Sequence, residues 1–419
     1  MNVINRINGM NGIIMTVTFI PFIPKYPIYP IIKKWYCNAV ISLISGIMKI
    51  GIDARMYGVS FTGIGRYTYE LIKNLAAFGK EHEYVVFMRK SAYDSFTLPN
   101  ENFKKVLADF PHYSFGEQTG FLKVLNAENL DLMHFTHFNA PIFYKKPCIV
   151  TIHDLTLSFF PGKKMTNLLQ RLAYHIVVRN VTKKAKRIIA VSNHTKSDLI
   201  EALKVPADKI TVIYNGVSPK FGDVEPTPRP DLMKKLGLQK PYLLYAGVWR
   251  DHKNIVGMIE AFYQFNKEVG NQYNLVITGP YNPTYHEIPD IIKKLGIENE
   301  VHLVGLVSDA DLFALYKNAL AFVFPSFYEG FGLPPLEAMQ CGTPVIASRT
   351  SATPEICGQG NALFFDPYDI DDMQKAMRLI ATDPPIRQHL VDNGRERVKE
   401  FSWDKMTRAV LEVYNSCKI

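Results

Sequence analysis

Glu329 and Glu337 stand eight positions apart and enclose the run Glu-Gly-Phe-Gly-Leu-Pro-Pro-Leu-Glu. An apolar run over 319–324 precedes it and suits a buried parallel strand. Pro334 and Pro335 suit a first helical turn, where a missing N–H costs nothing. The N–H groups of Phe331, Gly332 and Leu333 then sit at or just before a helix start, at the positive end of its dipole. That is an anion site, and Gly330 and Gly332 let a ligand approach the backbone. Two carboxylates oppose a bare phosphate, but they suit a ligand that also offers hydroxyls, as a sugar joined to a nucleotide does. On spacing alone, a strand–loop–helix unit with two solvated glutamates fits equally well.

Other candidates also follow apolar runs. Gly247, Arg250 and Lys253 lie between a strand at 242–246 and a helix from Ile255. His153 follows the strong run 148–152, and an imidazole can donate to or accept from a sugar hydroxyl near neutral pH. His137 and Asn139 close a strand over 130–135, at the end where open α/β sheets place ligands. Gly63 and Gly65, followed by Arg66, link a strand at 49–52 to a helix. A lone G-x-G is weak evidence of nucleotide binding. Each of these polar residues, taken singly, could equally be a satisfied loop residue.

Together these motifs resemble the signature of the family-4 retaining glycosyltransferases of the GT-B fold, over roughly residue 48 to the C-terminus. The resemblance implies an α/β protein of two Rossmann-like, doubly wound domains facing across a cleft. It implies that Glu329 lies by the donor sugar, that Glu337 holds the ribose hydroxyls, and that Arg250 and Lys253 hold the donor diphosphate. Gly247, Gly330, Phe331, Gly332 and Leu333 complete the donor site, with the base near Leu306 and Val307. His153 faces the transferred sugar. Gly63 and Gly65 reach across the cleft toward the diphosphate, and Arg66, His137 and Asn139 are assigned to the acceptor. The implied catalytic set is His153, Glu329, Arg250 and Lys253. Physical chemistry agrees for the cations: a departing nucleoside diphosphate gains negative charge, which fixed cations favour most in the transition state.

No cofactor or metal is expected beyond the nucleotide sugar. Asp309-Ala-Asp311 reads as a helix start capped by Ser308 or Asp309, and no hard-metal cage is visible. The implied reaction moves a hexose to a glycan or lipid-linked hydroxyl with retention. No matching carboxylate is assigned as a nucleophile, so no glycosyl-enzyme intermediate is expected; the resemblance implies that the departing phosphate oxygen takes the acceptor's proton. The GIGRY loop and HFNAP segment look most like bacterial mannosyltransferases of surface polysaccharide assembly. GDP-mannose is the first choice of donor, then UDP-glucose or UDP-N-acetylglucosamine. The alternatives are a nucleotide-sugar epimerase of the same fold and a non-catalytic sugar-nucleotide-binding protein.

The elements that must position these residues alternate strand and helix, with no repeats. They divide into an acceptor-side domain at 48–222, a linker at 223–237 marked by Pro226, Pro228 and Pro230, a nucleotide-sugar domain at 238–400, and a helix at 401–419 that crosses back. Ser192 and Asp369 read as helix caps.

The 419 residues are 47% apolar with a net charge of +9, which suits an anionic partner. Interleaved basic–aromatic motifs are missing, so nucleic acid is not expected. Five dispersed cysteines without a C-x-x-C pair point to a reducing, cytoplasmic setting. Residues 1–47 hold no Asp or Glu. Their apolar runs fall short of the ~20 residues that span a bilayer. They read either as an extension before a natural start at Met48 or as a peripheral anchor, poorly ordered in both cases. A basic helical region at 163–187 carries Lys163, Lys164, Arg171, Arg179, Lys183, Lys184, Lys186 and Arg187. It reads either as a solvated face or as a surface that docks on anionic lipid at the inner face of the cell membrane.

Overall fold

The computed structural model describes residues 46–58, 62–164, 167–217 and 225–418. The expectation for residues 1–47 lies outside them, apart from Gly46 and Ile47, as do residues 223–224 of the expected linker. Among the described residues, seven strands form the first sheet: β1 (Lys49–Asp53), β2 (Glu83–Met88), β3 (Phe103–Leu107), β4 (Leu132–Phe135), β5 (Cys148–Ile152), β6 (Arg187–Ala190) and β7 (Ile210–Val212). Their order is β3-β2-β1-β4-β5-β6-β7. Six more form the second: β8 (Tyr242–Ala246), β9 (Asn274–Thr278), β10 (Val301–Gly305), β11 (Ala321–Phe324), β12 (Val345–Ser348) and β13 (Leu363–Phe365), in the order β10-β9-β8-β11-β12-β13. Every pairing is parallel.

Parallel sheets carry helices on both faces, so their central strands are apolar throughout. β5 and β8 are accordingly buried at every position. The strand order reverses between β1 and β4 in one sheet and between β8 and β11 in the other. Such switch points open crevices at the carboxyl ends of the strands. The loops after these four strands carry most of the candidate residues.

The helices that matter for the site are α1 (Thr62–Phe78), α2 (Leu168–Lys184), α3 (Asn193–Leu203), α4 (Arg229–Leu236), α5 (Ile255–Glu268), α6 (Leu333–Gln340) and α7 (Trp403–Ser416). Ser192 caps α3, and Ser308 and Asp369 cap two further helices, as their spacing suggested. The linker expected at 223–237 is corrected over its described part. Its prolines lead into α4, with Pro230 in the first turn and Gly237 closing the helix in the left-handed region. Leu232 is fully buried in the second domain's core, and Lys235 bonds Asp311 at 2.6 Å.

α7 returns to the first domain. Trp403, Met406, Val410 and Tyr414 form one stripe of the helix and join Ile50 and Leu71 in the first core. A fully buried side chain of this size contributes about 1.5–3 kcal/mol, so this strap is worth several kcal/mol. It also completes a buried chain of hydroxyls. The Tyr414 hydroxyl lies 2.7 Å from Nδ1 of His134, whose Nε2 lies 2.8 Å from the Thr151 hydroxyl, itself 2.9 Å from the Tyr67 hydroxyl.

Burial pushes the imidazole of His134 down to about 3, far below its ordinary value of about 6.5. Between those values the unfolded chain binds a proton that the folded chain refuses. Stability therefore falls as pH drops below about 6.5. At pH 5, His134 alone accounts for roughly 2 kcal/mol. Burial also lowers His112 to about 4 and His252 to about 3, which acts in the same direction. The urea midpoint is expected to drop clearly between pH 7 and pH 5. Equal midpoints would mean that these rings are not held neutral.

Candidate active site

The donor-side residues converge on the β8/β11 switch point. After β11 the chain runs through the loop 325–332 into α6, with Gly332 at φ +107° as the helix cap. The N–H groups of Phe331, Gly332 and Leu333 donate to no protein group among the described residues. After β8, Gly247 donates to the Thr278 carbonyl at 3.0 Å. A Cβ on Gly279 would come within 1.9 Å of the Gly247 carbonyl oxygen, so this turn is bare backbone. A 3₁₀ turn, Asp251–Lys253, then enters α5. It locks onto the other loop, because the Phe327 N–H donates to the His252 carbonyl at 2.8 Å.

Lys253 Nζ thereby reaches Glu329 Oε1 at 2.5 Å, with both side chains mostly buried. Glu329 stands two residues before Phe331, the first of the open N–H groups ahead of α6. Arg250 is half-buried, and its side chain meets no partner among the described residues. Glu337 lies one turn into α6 and accepts from the Tyr316 hydroxyl at 3.4 Å. Leu306 is 77% exposed after β10, and Val307 is half-buried beside it.

His153 follows β5 on the other side of the cleft. Its Nε2 lies 2.9 Å from the Thr136 carbonyl, so Nε2 carries the proton. Burial lowers its pKa, against the Thr136 hydrogen bond and the Asp154 charge. In the resulting neutral ring, Nδ1 is an acceptor. Tyr67 packs edge-on at 4.9 Å between ring centroids. The His137 ring lies 6.2 Å from that of His153, with its Nδ1 buried and unpartnered. Asn139 gives its carbonyl to Arg55 at 3.2 Å, and its own Oδ1 is also buried without a partner.

The two sides are in contact. The Gly330 carbonyl accepts from the Ser192 hydroxyl at 2.6 Å and from the Thr195 hydroxyl at 3.2 Å. A Cβ on Gly330 would lie 1.8 Å from the His153 carbonyl oxygen. Beside it, the Tyr328 hydroxyl donates to Asp198 at 2.5 Å, and Glu355 caps the start of α3 by accepting from Asn193 N–H at 2.7 Å and His194 N–H at 3.0 Å. Sequence spacing gave no sign of Tyr328, Asp198, Thr195 or Glu355, because each has its partner more than 100 positions away.

Not every candidate joins this cluster. Arg66 pairs with Glu70 on its own helix at 3.1 Å. A Cβ on Gly63 would meet nothing within 4 Å, whereas one on Gly65 would strike the Gly58 carbonyl at 2.0 Å. Gly65 is therefore required by the turn, and Gly63 has no steric need to be glycine. The basic region 163–187 does not present all its cations on one free face. Lys163 binds Glu287 at 2.8 Å, and its N–H reaches Asp251 at 3.1 Å, which ties the two domains together. Lys184 donates to the Pro141 carbonyl at 2.5 Å, and burial lowers its pKa to about 8. Lys186 and Arg187 bond the carbonyls of Cys417 and Asp208. The side chain of Lys164 lies outside the described residues.

Two facing parallel-sheet domains of this strand order form the GT-B fold. Family models match successive parts of the chain: "Glycosyltransferase Family 4" over residues 61–221 and "Glycosyl transferases group 1" over 228–397. The chain therefore carries a Glycosyltransferase Family 4 domain followed by a glycosyl transferases group 1 domain. It is 28% identical to the O-antigen chain mannosyltransferase B of Escherichia coli over 88% of this chain and 99% of that protein. It is 26% identical to the O-antigen chain mannosyltransferase RfbU of Salmonella typhimurium, over 86% and 97%. Among solved structures, sucrose-phosphate synthase of Thermosynechococcus elongatus aligns with a TM-score of 0.72 at 22% identity, covering 88% of this chain and 98% of the other. Anabaena HepE, solved with UDP-glucose, aligns at 0.69 with 19% identity, over 88% and 100%.

Proposed function

We propose that this chain transfers mannose from GDP-mannose to a glycan or lipid-linked hydroxyl in surface polysaccharide synthesis, with retention and without a metal. The observation that carries it is the Lys253–Glu329 pair in the loop before α6, next to Gly330, which rests on the backbone of His153. Lys253, Arg250 and the open N–H groups of α6 take up the charge of the departing diphosphate. Glu337 accepts from the ribose hydroxyls, and His153 Nδ1 accepts from a hydroxyl of the donor sugar. Glu329 is held by Lys253, which suits a positioning carboxylate better than a nucleophile. The bond from the anomeric carbon to the phosphate oxygen breaks as the bond to the acceptor oxygen forms on the same face. The acceptor's proton passes to the departing phosphate oxygen. The mannosyl choice is supported by the two O-antigen mannosyltransferases that match most of the chain. UDP-glucose is the second reading, favoured by the HepE complex of similar fold.

The test is nucleoside diphosphate release from GDP-mannose, UDP-glucose and UDP-N-acetylglucosamine, with and without methyl α-mannoside. GDP release that the mannoside accelerates, with an α-linked product by NMR, is expected. Release from a uridine donor alone overturns the donor. Conversion of a donor to its epimer identifies an epimerase, and binding without turnover identifies a silent binder.

The reaction is proposed to take place in the cytoplasm, at the inner face of the membrane. Among the described residues, no helix is long and apolar enough to cross a membrane. However, α2 contains no acidic residue and exposes Leu168, Leu169, Leu172 and Ile176 near Arg179 and Lys183. An apolar ridge flanked by cations fits an anionic lipid surface. Pelleting with phosphatidylglycerol vesicles is expected to be lost when Leu168 and Leu172 are changed to Asp. Unchanged pelleting of that variant would remove the lipid-docking role.

A further inference from the structure

Tyr113 has φ +62°, a left-handed conformation that side chains other than glycine rarely adopt. Such a residue costs about 1 kcal/mol or more and persists only where its surroundings impose it. Here a buried ionic cluster does so. The Tyr113 N–H donates to Glu117 Oε2 at 2.9 Å. Glu117 Oε1 pairs with Arg55 Nη1 at 2.8 Å, off the line of a hydrogen bond, and Arg55 grips Asp53 through two bonds of 2.9 and 2.7 Å. The guanidinium is fully buried over the ring of Phe121, 3.9 Å from its centroid. Buried ion pairs are poor sources of stability, because the desolvation cost offsets most of the attraction. A strained tyrosine held by such a cluster is therefore explained by what the tyrosine does.

Tyr113 is 58% exposed. It packs 6.1 Å from Phe138, which lies 4.0 Å from His137, whose ring is 6.2 Å from that of His153. The Asn139 side chain lies against the Tyr113 hydroxyl, and Asn139 Oδ1 and His137 Nδ1 are both buried without a hydrogen-bond partner. An exposed aromatic face next to two unused polar atoms matches a pyranose ring, whose C–H face stacks while its hydroxyls bond. Tyrosine supplies such contact with little loss of side-chain freedom.

The geometry points to Tyr113 as the stacking platform for the sugar ring at the acceptor end, with His137 and Asn139 meeting its hydroxyls. This rests on the transferase reading above. The decisive variant is Tyr113→Gly, which keeps the left-handed backbone at no steric cost and removes only the ring. The first measurement is saturation-transfer NMR of methyl α-mannoside on the protein with GDP. The parent and Tyr113→Phe are expected to give signal, and Tyr113→Gly to lose it. The second is transfer to the same mannoside, expected to fall tenfold or more in Tyr113→Gly while donor hydrolysis by water stays within threefold. No signal with the parent, or equal signal and transfer with Tyr113→Gly, overturns the platform. A parent that binds the mannoside but turns over no donor overturns the transferase reading and leaves the platform standing.

Discussion

Lys253→Met is expected to slow sugar transfer by about 10²–10³-fold, the usual loss when one preorganised group that stabilises developing charge is removed. The ammonium sits 2.5 Å from Glu329 and only 15% exposed, in a turn fixed to the facing loop by the bond from Phe327 N–H to the His252 carbonyl. Water cannot simply replace it there. The effect should be compounded, because Glu329 would then stand uncompensated beside the diphosphate and repel it. Donor affinity is therefore expected to fall together with kcat. Lys253→Met combined with Glu329→Gln should recover part of the donor affinity but not the rate, a coupling that a double-mutant cycle isolates. The melting temperature should fall more in Lys253→Met than in the double variant, because the single change leaves a carboxylate only 13% exposed without its partner. Initial rates of nucleotide release and melting temperatures of the four proteins measure this. A single variant within threefold of the parent rate would remove Lys253 from the chemistry.

A comparable loss is expected from Gly330→Ala, by a different route. The added methyl would lie 1.8 Å from the His153 carbonyl oxygen and 2.8 Å from the Asp154 Cβ. The first obstacle is backbone and cannot rotate away, so the loop or the whole second domain must shift by roughly an ångström or more. A misplacement of that size can cost about 100-fold in rate. The shift would also strip the Gly330 carbonyl of its bonds from Ser192 and Thr195. Each domain keeps its own core, so the chain should still fold. The variant should show kcat down about 100-fold, and small-angle scattering should show more separated domains. Ser192→Ala, which removes one hydroxyl and adds no bulk, should lose far less. Parent-like turnover in Gly330→Ala would mean that contact between the domains at this point is not needed.

Much of the frame was legible from residue order. β5 and β8 are unbroken apolar runs because both sheet faces are covered, and that pattern survives in a single sequence. Caps such as Ser192 and Ser308 act within three residues, so local spacing reveals them. Edge strands were harder. β3 reads Phe-Lys-Lys-Val-Leu, with Lys104 exposed at the sheet edge, so it lacks the unbroken apolar run of a central strand. The stretch around Pro226, Pro228 and Pro230 looked like a linker because proline at a helix entrance and proline in a linker have the same composition.

The sequence by itself determined the two doubly wound halves and the Glu329–Glu337 motif, since both depend on short-range order along the chain. Only the tertiary structure decided which charges are free. Lys163, Lys184 and Lys186 turn to internal partners, whereas Arg250 does not. It also decided that Gly330 rests on His153, that Tyr328 reaches Asp198, and that Arg55 and Glu117 hold Tyr113 in place. The physical reason is that hydrogen bonds and ion pairs act over about 3 Å of space, and chain folding brings together residues that no periodicity connects.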